Sequence, residues 1–331
     1  MSENGISEQI VECVPNFSEG RDLEKVHAIV GAMRVDGVHL LDYSLDPDHN
    51  RSVVTIAGAP DAVLESAVRG VGMAAKLIDL TQQKGEHPRV GAADVVPFVP
   101  VSGISLMQCA LLARQAGKEI WNRYGVPVYF YAGAATRPDR VLLEDVRRGQ
   151  FEGLMKDTMR DSARRPDIGG PELHPTAGAS IVGARTFLIA YNIYLAGSGV
   201  SNADIEAAGM DSALISSSGA ADVGLARTIA KEVRASSGGM LGVKAMGVLV
   251  NGRPQVSMNV TDFHKTPVAR IHAAVAQIAA RHGAQIGDGE LIGLIPEAAY
   301  EPNADWIRQI PQFDPEEKVL ERRLSHPLDW P

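Results

Sequence analysis

Between two apolar runs the chain carries a dense polar cluster, Lys84-Gly85-Glu86-His87-Pro88-Arg89-Val90-Gly91. Pro88 restricts His87 to extended geometry, and Gly85 and Gly91 allow turns on either side, so the imidazole can be held on a constrained loop. An imidazole titrating near neutrality suits proton transfer. Lys84 and Arg89 would lower its pKa by repulsion, whereas Glu86 or Asp94 would raise it. Residue types alone favour a surface-loop histidine over a catalytic one. Other spacings offer less. Asp46, Asp48 and His49 in LDPDHNR could in principle hold a metal, but such spacing in a turn-rich loop reads as capping and solvated charge, so no metal is expected. Gly70-Val71-Gly72 falls inside a helical pattern rather than after a strand, against a dinucleotide site. There is no Walker A pattern, no Cys pair at zinc spacing and no HExxH.

Elements must position that loop. Residues 10–17 read as a strand ending in a Pro-Asn turn, and 21–34 carry apolar residues at a helical period. Val38 to Tyr43 and Ser52 to Ala57 read as strands joined by the LDPDHNR loop. Pro60 opens a helix to about Asp79, and Asp94 to Val101 follows the His87 loop as a strand. This β-α-β-β-α-β order is the split βαβ unit of ferredoxin-like folds. A helix over Leu106 to Tyr124 and a strand over Val126 to Tyr131 extend it. From about Gly178 the order returns: strand Phe187 to Leu195, helix Ala220 to Ala235, and strand Val243 to Val250. Asn251-Gly252 then reverses the chain into Gln255 to Val260. A helix from Pro267 to His282 stops at Gly283, and Glu290 to Ile295 is the final strand. The fold class is therefore α+β, with two subdomains, each a ferredoxin-like βαββαβ sheet with helices on one face. The expected divisions are 1–183, 184–300 and a tail, 301–331. The stretch RDSARRPDIGGPELHPTAGAS reads as linker or binding loop, and a cleft between two such halves is the default place for a ligand.

Composition bounds the function. The chain has 331 residues, roughly twice the commonest domain size, with 45% hydrophobic and 22% charged residues. Its 33 Gly and 19 Pro against 5% aromatic residues imply many tight turns and an aliphatic core. A net charge of −8 and the lack of a basic run argue against nucleic acid as a partner. Met1 to Gln9 lacks the basic and apolar regions of a secretory signal. No apolar run reaches a membrane span of about 20 residues. Cys13 and Cys109 read as buried thiols of a reducing cytoplasm.

The opening Ile10-Val11-Glu12-Cys13-Val14-Pro15-Asn16-Phe17-Ser18-Glu19-Gly20-Arg21 resembles the signature of the glutamate formimidoyltransferase family, the folate-dependent formiminotransferases. The likeness continues through DPDHNRSVVTIAG, KGEHPRVGAADVVPFVPVSG, VPVYFYAGAA, GARTFLIAYNIYL, VRASSGG, VKAMGV, QVSMNVTDFHKTPV and FDPEEKVLERRL, from about Ile10 to Leu324. It is a single-domain, bacterial-type pattern without the cyclodeaminase domain of the bifunctional animal form. Two stretches depart from it. Gly197 to Ser218 is longer than usual and reads as a lid, a surface elaboration or an oligomer contact, and Glu172 and His174 differ from the animal type.

The resemblance implies transfer of a formimidoyl group from N-formimidoyl-L-glutamate to N5 of tetrahydrofolate, giving 5-formimidoyltetrahydrofolate and L-glutamate, in histidine degradation. Tetrahydrofolate is then a co-substrate, the partners are small molecules rather than membrane or nucleic acid, and a cytoplasmic homodimer is expected. The catalytic histidine corresponds to His87, donating a proton to the departing glutamate nitrogen. The folate-binding segment corresponds to Gly169, Gly170, Pro171, Glu172, Leu173, His174, Pro175, Thr176, Ala177 and Gly178. Arg51 and Arg89 could bind the substrate carboxylates, each against a structural salt bridge, and Asp42 or Asp94 could face the amidinium. Lys84, Arg89 and Arg51 are the expected local concentration of cations. Arg160, Arg164 and Arg165 could meet a folate polyglutamate tail or form a solvated helix face. The apolar tail residues Trp306, Phe313, Leu320 and Trp330 could dock on their own chain or a neighbour. Alternatives are formyl transfer between glutamate and folate, a non-catalytic folate-binding protein, and RNA binding on a ferredoxin-like sheet, for which 5% aromatic residues leave little stacking surface.

Overall fold

The structure, a computed structural model, describes residues 8–85, 87–196 and 212–331. The departure at Gly197 to Ser218 therefore lies outside the described residues up to 211, and so does Glu86. Two compact units form, Met1–Thr186 with Pro327–Pro331, and Phe187–His326.

The first unit contains β1 (Ile10–Cys13), β2 (Asn16–Phe17), α1 (Leu23–Ala32), β3 (Val38–Asp46), β4 (Arg51–Gly58), α2 (Pro60–Leu77), β5 (Ala93–Ser102), α3 (Leu106–Tyr124), β6 (Val128–Ala132), α4 (Leu143–Val146), α5 (Gln150–Arg160) and β7 (Ser180–Ala184). Local chemistry sets the helix ends. Asp22 caps α1 and Pro60 occupies the first turn of α2. Ser105 and Gln108 form a capping box on α3, which ends at left-handed Gly125. Strand β4 pairs antiparallel with β3, and with β1 and β2, which both pair antiparallel with β5. That is the split βαβ order read from the sequence. Strand β5 then pairs parallel with β7, and β7 with β6. Strand β7 was hidden in a Gly-bearing loop, and its SIVGA run is buried on both faces.

One expectation is corrected here. Helices do not cover only one face of this sheet. Val96, Phe98, Phe130 and Val182 join the α1–α2–α3 core, whereas Val95, Tyr129, Tyr131 and Ile181 pack with Val146 of α4 and Leu154 of α5. Parallel strands are covered on both faces, and this second layer supplies that cover. The RDSARRPDIGGPELHPTAGAS stretch is likewise no connector. It belongs to the first unit, where Val128 and Ile168 exchange backbone hydrogen bonds.

The second unit is β8 (Ile189–Ala196), α6 (Ser212–Val233), β9 (Val243–Val250), β10 (Arg253–Val260), α7 (Val268–Arg281) and β11 (Gln285–Ile292). Its four antiparallel strands run in the order β11-β8-β10-β9. Asn251 and Gly252 both take positive φ, as a two-residue hairpin turn requires. The tail docks on its own chain. Trp306, Phe313 and Leu320 join the second core, while Leu328 and Trp330 pack on the first, and Leu328 donates to Leu40 at the β3 edge.

Phe98 is fully buried in the first core and Leu111 of α3 is exposed. Phe98→Ala should destabilise the first unit by about 3–5 kcal/mol, and Leu111→Ala by no more than about 0.5 kcal/mol, both read from urea unfolding.

Candidate functional site

Three segments of the first unit converge around His87. These are the Asn16–Ser18 strand end, the turn between β3 and β4, and the loop between α2 and β5. Asn16, Phe17, Ser18, His49, Asn50, Arg51, Gln83, His87, Arg89 and Asp94 line one pocket.

The turn is built first. Asp46 pairs with Arg51 across the hairpin. The Asp46 carboxylate accepts the backbone N–H of His49 at 2.9 Å and meets His49 Nδ1 at 2.7 Å, the capping expected of LDPDHNR. Burial raises the Asp46 pKa, yet these bonds from His49 bring it below its usual value. Asn50 then ties the turn to its neighbours. It sits at φ 49, a left-handed position that Asn tolerates. Its Oδ1 accepts from Gly20 N–H at 2.9 Å and its Nδ2 donates to the Lys84 carbonyl at 3.0 Å. Gly85 makes this approach possible, because a Cβ there would lie 2.4 Å from the His49 carbonyl oxygen. At the other end, a Cβ on Gly91 would lie 2.2 Å from the Ala179 carbonyl oxygen. Both glycines thus serve close backbone contact rather than the turns expected of them.

Arg89 braces the loop from beneath. Its guanidinium donates to the carbonyls of Leu80 and Gln83 and pairs with Glu152 of α5 at 2.9 Å. The sequence left Arg89 open between a substrate contact and a structural bridge, and the geometry is that of the bridge. Asp94 is similarly committed. It accepts Val90 N–H at 2.7 Å and pairs with Arg147 at 2.5 Å, both side chains being largely buried. Asp42 lies on β3 opposite Thr55 and is not among the pocket-lining residues. Lys84 is exposed.

Arg51 and His87 make the contact that defines the site. Arg51 Nη1 lies 2.7 Å from His87 Nε2. A guanidinium only donates, so Nε2 must carry its lone pair and the ring must be the neutral Nδ1–H tautomer. The electrostatics agree. Burial lowers the His87 pKa most, followed by the charges of Arg51 and Arg147, to about 2. Burial and the nearby Arg147 charge likewise lower Arg51, to about 10. The buried Nε atoms of Arg51 and Arg147 lack a hydrogen-bond partner. Arg147, which follows α4 in VRRGQ, was missed because nothing in its spacing distinguishes it from a solvated helix end. His49 stands beside His87 with ring centroids 6.5 Å apart.

The segment Gly169 to Gly178 runs along the same loop. Leu80 N–H donates to Thr176 O at 2.8 Å, Ala92 N–H to Ala177 O at 2.9 Å, and Ala179 N–H to Val90 O at 3.2 Å. His174 Nδ1 accepts Ala177 N–H at 3.0 Å, and burial lowers the His174 pKa. Gly169 faces the Trp121 ring at φ 75, and Leu173 is buried. Gly170, Glu172 and Pro175 form the exposed edge. Arg140 pins the base of the segment by pairing with Asp167 at 2.5 Å. Arg164 donates to the carbonyls of Asp145 and Arg148, and Arg165 to that of Thr158, so both serve local structure. Cys13 and Cys109 are free and buried, and burial raises both thiols, Cys109 to about 11. Among the described residues, no cluster of three or more His, Cys, Asp or Glu is placed to hold a metal, and no helix is long and apolar enough to cross a membrane.

Residues 10–185 match the family model described as formiminotransferase domain, N-terminal subdomain, and residues 213–324 match that of the formiminotransferase domain. A glutamate formimidoyltransferase from Thermoplasma acidophilum is 40% identical over 320 residues, which cover 96% of this chain and 97% of the relative. Another, from Streptococcus pyogenes serotype M1, is 38% identical over 319 residues, covering 96% and 99%. A formimidoyltransferase-cyclodeaminase from Gallus gallus is 36% identical over 300 residues, 88% of this chain but 51% of that protein.

The neutral His87 has a consequence for stability. Its folded pKa lies near 2 against 6.5 for the free group. Between these values the unfolded chain binds the proton and the folded chain does not. Stability therefore rises with pH through this window and is flat with respect to this group above it. Urea unfolding at a series of pH values should show that slope in the wild type and a shallower one in His87→Gln.

Proposed function

The chain belongs to the formiminotransferase family, and on that premise we propose that it moves the formimidoyl group of N-formimidoyl-L-glutamate to N5 of tetrahydrofolate, releasing L-glutamate, as a step of histidine degradation. The observation that carries the reading is the neutral His87 imidazole held by the Arg51 guanidinium in the pocket they share.

The reaction needs a proton carrier and a place for negative charge. When N5 attacks the amidinium carbon, its proton must leave, and the glutamate nitrogen departs well only once protonated. A neutral imidazole takes the first proton and the resulting imidazolium gives the second, so His87 acts first as base and then as acid. Arg51 covers Nε2 in the unliganded site. A substrate carboxylate is the better partner for a guanidinium, and drawing Arg51 onto it frees Nε2 at the moment the donor is bound. Arg147 adds positive charge beside the same ring, joining Arg51 where the sequence had pointed to Lys84 and Arg89.

For the Gly169–Gly178 segment we propose the pterin side of the site. Support comes from its backbone bonds to the His87 loop and from its exposed edge at Gly170, Glu172 and Pro175. Tetrahydrofolate is a co-substrate in this reading. A cytoplasmic homodimer belongs to the same proposal, the compartment supported by the two buried free thiols and the dimer by family likeness.

The test is turnover of formimidoylglutamate with tetrahydrofolate. His87→Ala and His87→Gln should lose about 10² to 10⁴ in kcat with unchanged circular dichroism. Arg51→Ala should raise KM for formimidoylglutamate about 10- to 100-fold, as loss of a charge-assisted bond of about 1.5–3 kcal/mol requires. Near wild-type turnover by both His87 variants would overturn the assignment.

A further inference from the structure

His49 lines the same pocket as His87, yet the proton transfer at His87 makes no use of it. The two rings meet edge to face, with centroids 6.5 Å apart and an interplanar angle of 71°, so one small group lies within reach of both. Their partners carry opposite charge. His87 faces the Arg51 guanidinium, whereas His49 Nδ1 lies 2.7 Å from Asp46 Oδ2. Other carboxylates around the pocket are neutralised by arginine, Asp94 by Arg147 and Glu152 by Arg89. Asp46 engages a histidine instead.

That pairing fixes what His49 offers. A carboxylate only accepts, so Nδ1 carries the proton and Nε2 of the neutral ring keeps its lone pair. Among the described residues, Nε2 has no hydrogen-bond partner. The turn does not require the imidazole. Its cap is the bond from the His49 backbone N–H to Asp46 Oδ1, at 2.9 Å, which does not depend on the side chain at that position. Both side chains are about half exposed, and an ion pair so exposed adds little to stability. What the dyad presents is an oriented acceptor, backed by a negative charge, on the pocket that also holds the Arg51 cation.

The inference deepens the transferase reading and rests on it. N-formimidoyl-L-glutamate joins carboxylates to a cationic amidinium, and the arginines that attract the first repel the second. We propose that the His49–Asp46 dyad accepts an N–H of the amidinium and thereby makes the pocket select a formimidoyl donor over its formyl analogue. The analogue carries an uncharged carbonyl oxygen where the donor has a charged NH2 group, so lone pair meets lone pair at Nε2. A site built around a hydrogen bond discriminates strongly against a ligand that cannot make it.

The test compares N-formimidoyl-L-glutamate as donor with N-formyl-L-glutamate as competitive inhibitor, in full-length wild type, His49→Ala and Asp46→Asn. His49→Ala should raise KM for the donor at least about tenfold, while KM for tetrahydrofolate and the inhibition constant of the formyl analogue stay within about twofold. In Asp46→Asn, Oδ1 still accepts the His49 backbone N–H and the new NH2 faces Nδ1. The ring proton then moves to Nε2, which turns the acceptor into a donor. Donor KM should rise as in His49→Ala while the formyl analogue binds more tightly, an inversion that a loosened turn does not produce. The assignment is overturned if donor and formyl analogue weaken together in His49→Ala, if neither changes, or if the wild type accepts the two equally. Absence of wild-type turnover would instead overturn the transferase reading beneath it, whereas normal wild-type turnover with an unaltered preference in His49→Ala removes the dyad's role alone.

Discussion

A guanidinium donating to an imidazole is an uncommon contact, and here it decides which ring nitrogen carries the proton. Arg51 can only donate, so His87 Nε2 must accept, and burial, followed by the charges of Arg51 and Arg147, disfavours protonation. The surrounding polar contacts serve to hold this electrostatically uncomfortable pair in place. Asp94 pairs with Arg147 while accepting Val90 N–H, so one carboxylate both balances charge and anchors the loop. Asn50 and Arg89 supply the rest of the anchoring through backbone carbonyls, which leaves the turn and the loop little freedom to separate.

That rigidity originates in the sheet. Strands β5, β6 and β7 are buried on both faces by the α1–α3 layer and by the smaller α4–α5 layer. The His87 loop leads into β5, and the Gly169–Gly178 segment leads into β7, its parallel neighbour. Parallel strands put their starting ends side by side, so the two loops exchange backbone hydrogen bonds as a consequence of topology. Chemistry that needs a fixed imidazole beside a second substrate is well served by two loops rooted in adjacent strands.

Much of this was legible in the residues. Hydrophobic period located most of the major strands and helices, and Pro60 and Asn251-Gly252 marked ends that the structure reproduces. The His87 loop stood out through its density of polar residues. Other features depended on tertiary context. Strand β7 carries two glycines' worth of turn signal around a short run, so local pattern could not separate it from a linker. Arg89 and Arg51 look alike as sequence, and only packing distinguishes the brace that pairs with Glu152 from the guanidinium that donates to His87. Arg147 comes from far along the chain, and Asn50 acts through side-chain bonds to Gly20 and Lys84, which are distant in sequence.

The central claim is that His87 is neutral because it is buried beside the Arg51 and Arg147 charges, with its proton on Nδ1 because Arg51 occupies Nε2. Long-range ¹H–¹⁵N correlation of the imidazole, followed from about pH 4 to about pH 8 in the unliganded protein, tests it most directly. Expected are nitrogen shifts of the Nδ1–H tautomer that stay constant across the range, and a titration that moves back into it in Arg51→Ala. A wild-type His87 that titrates near 6.5, or that carries its proton on Nε2, would contradict it.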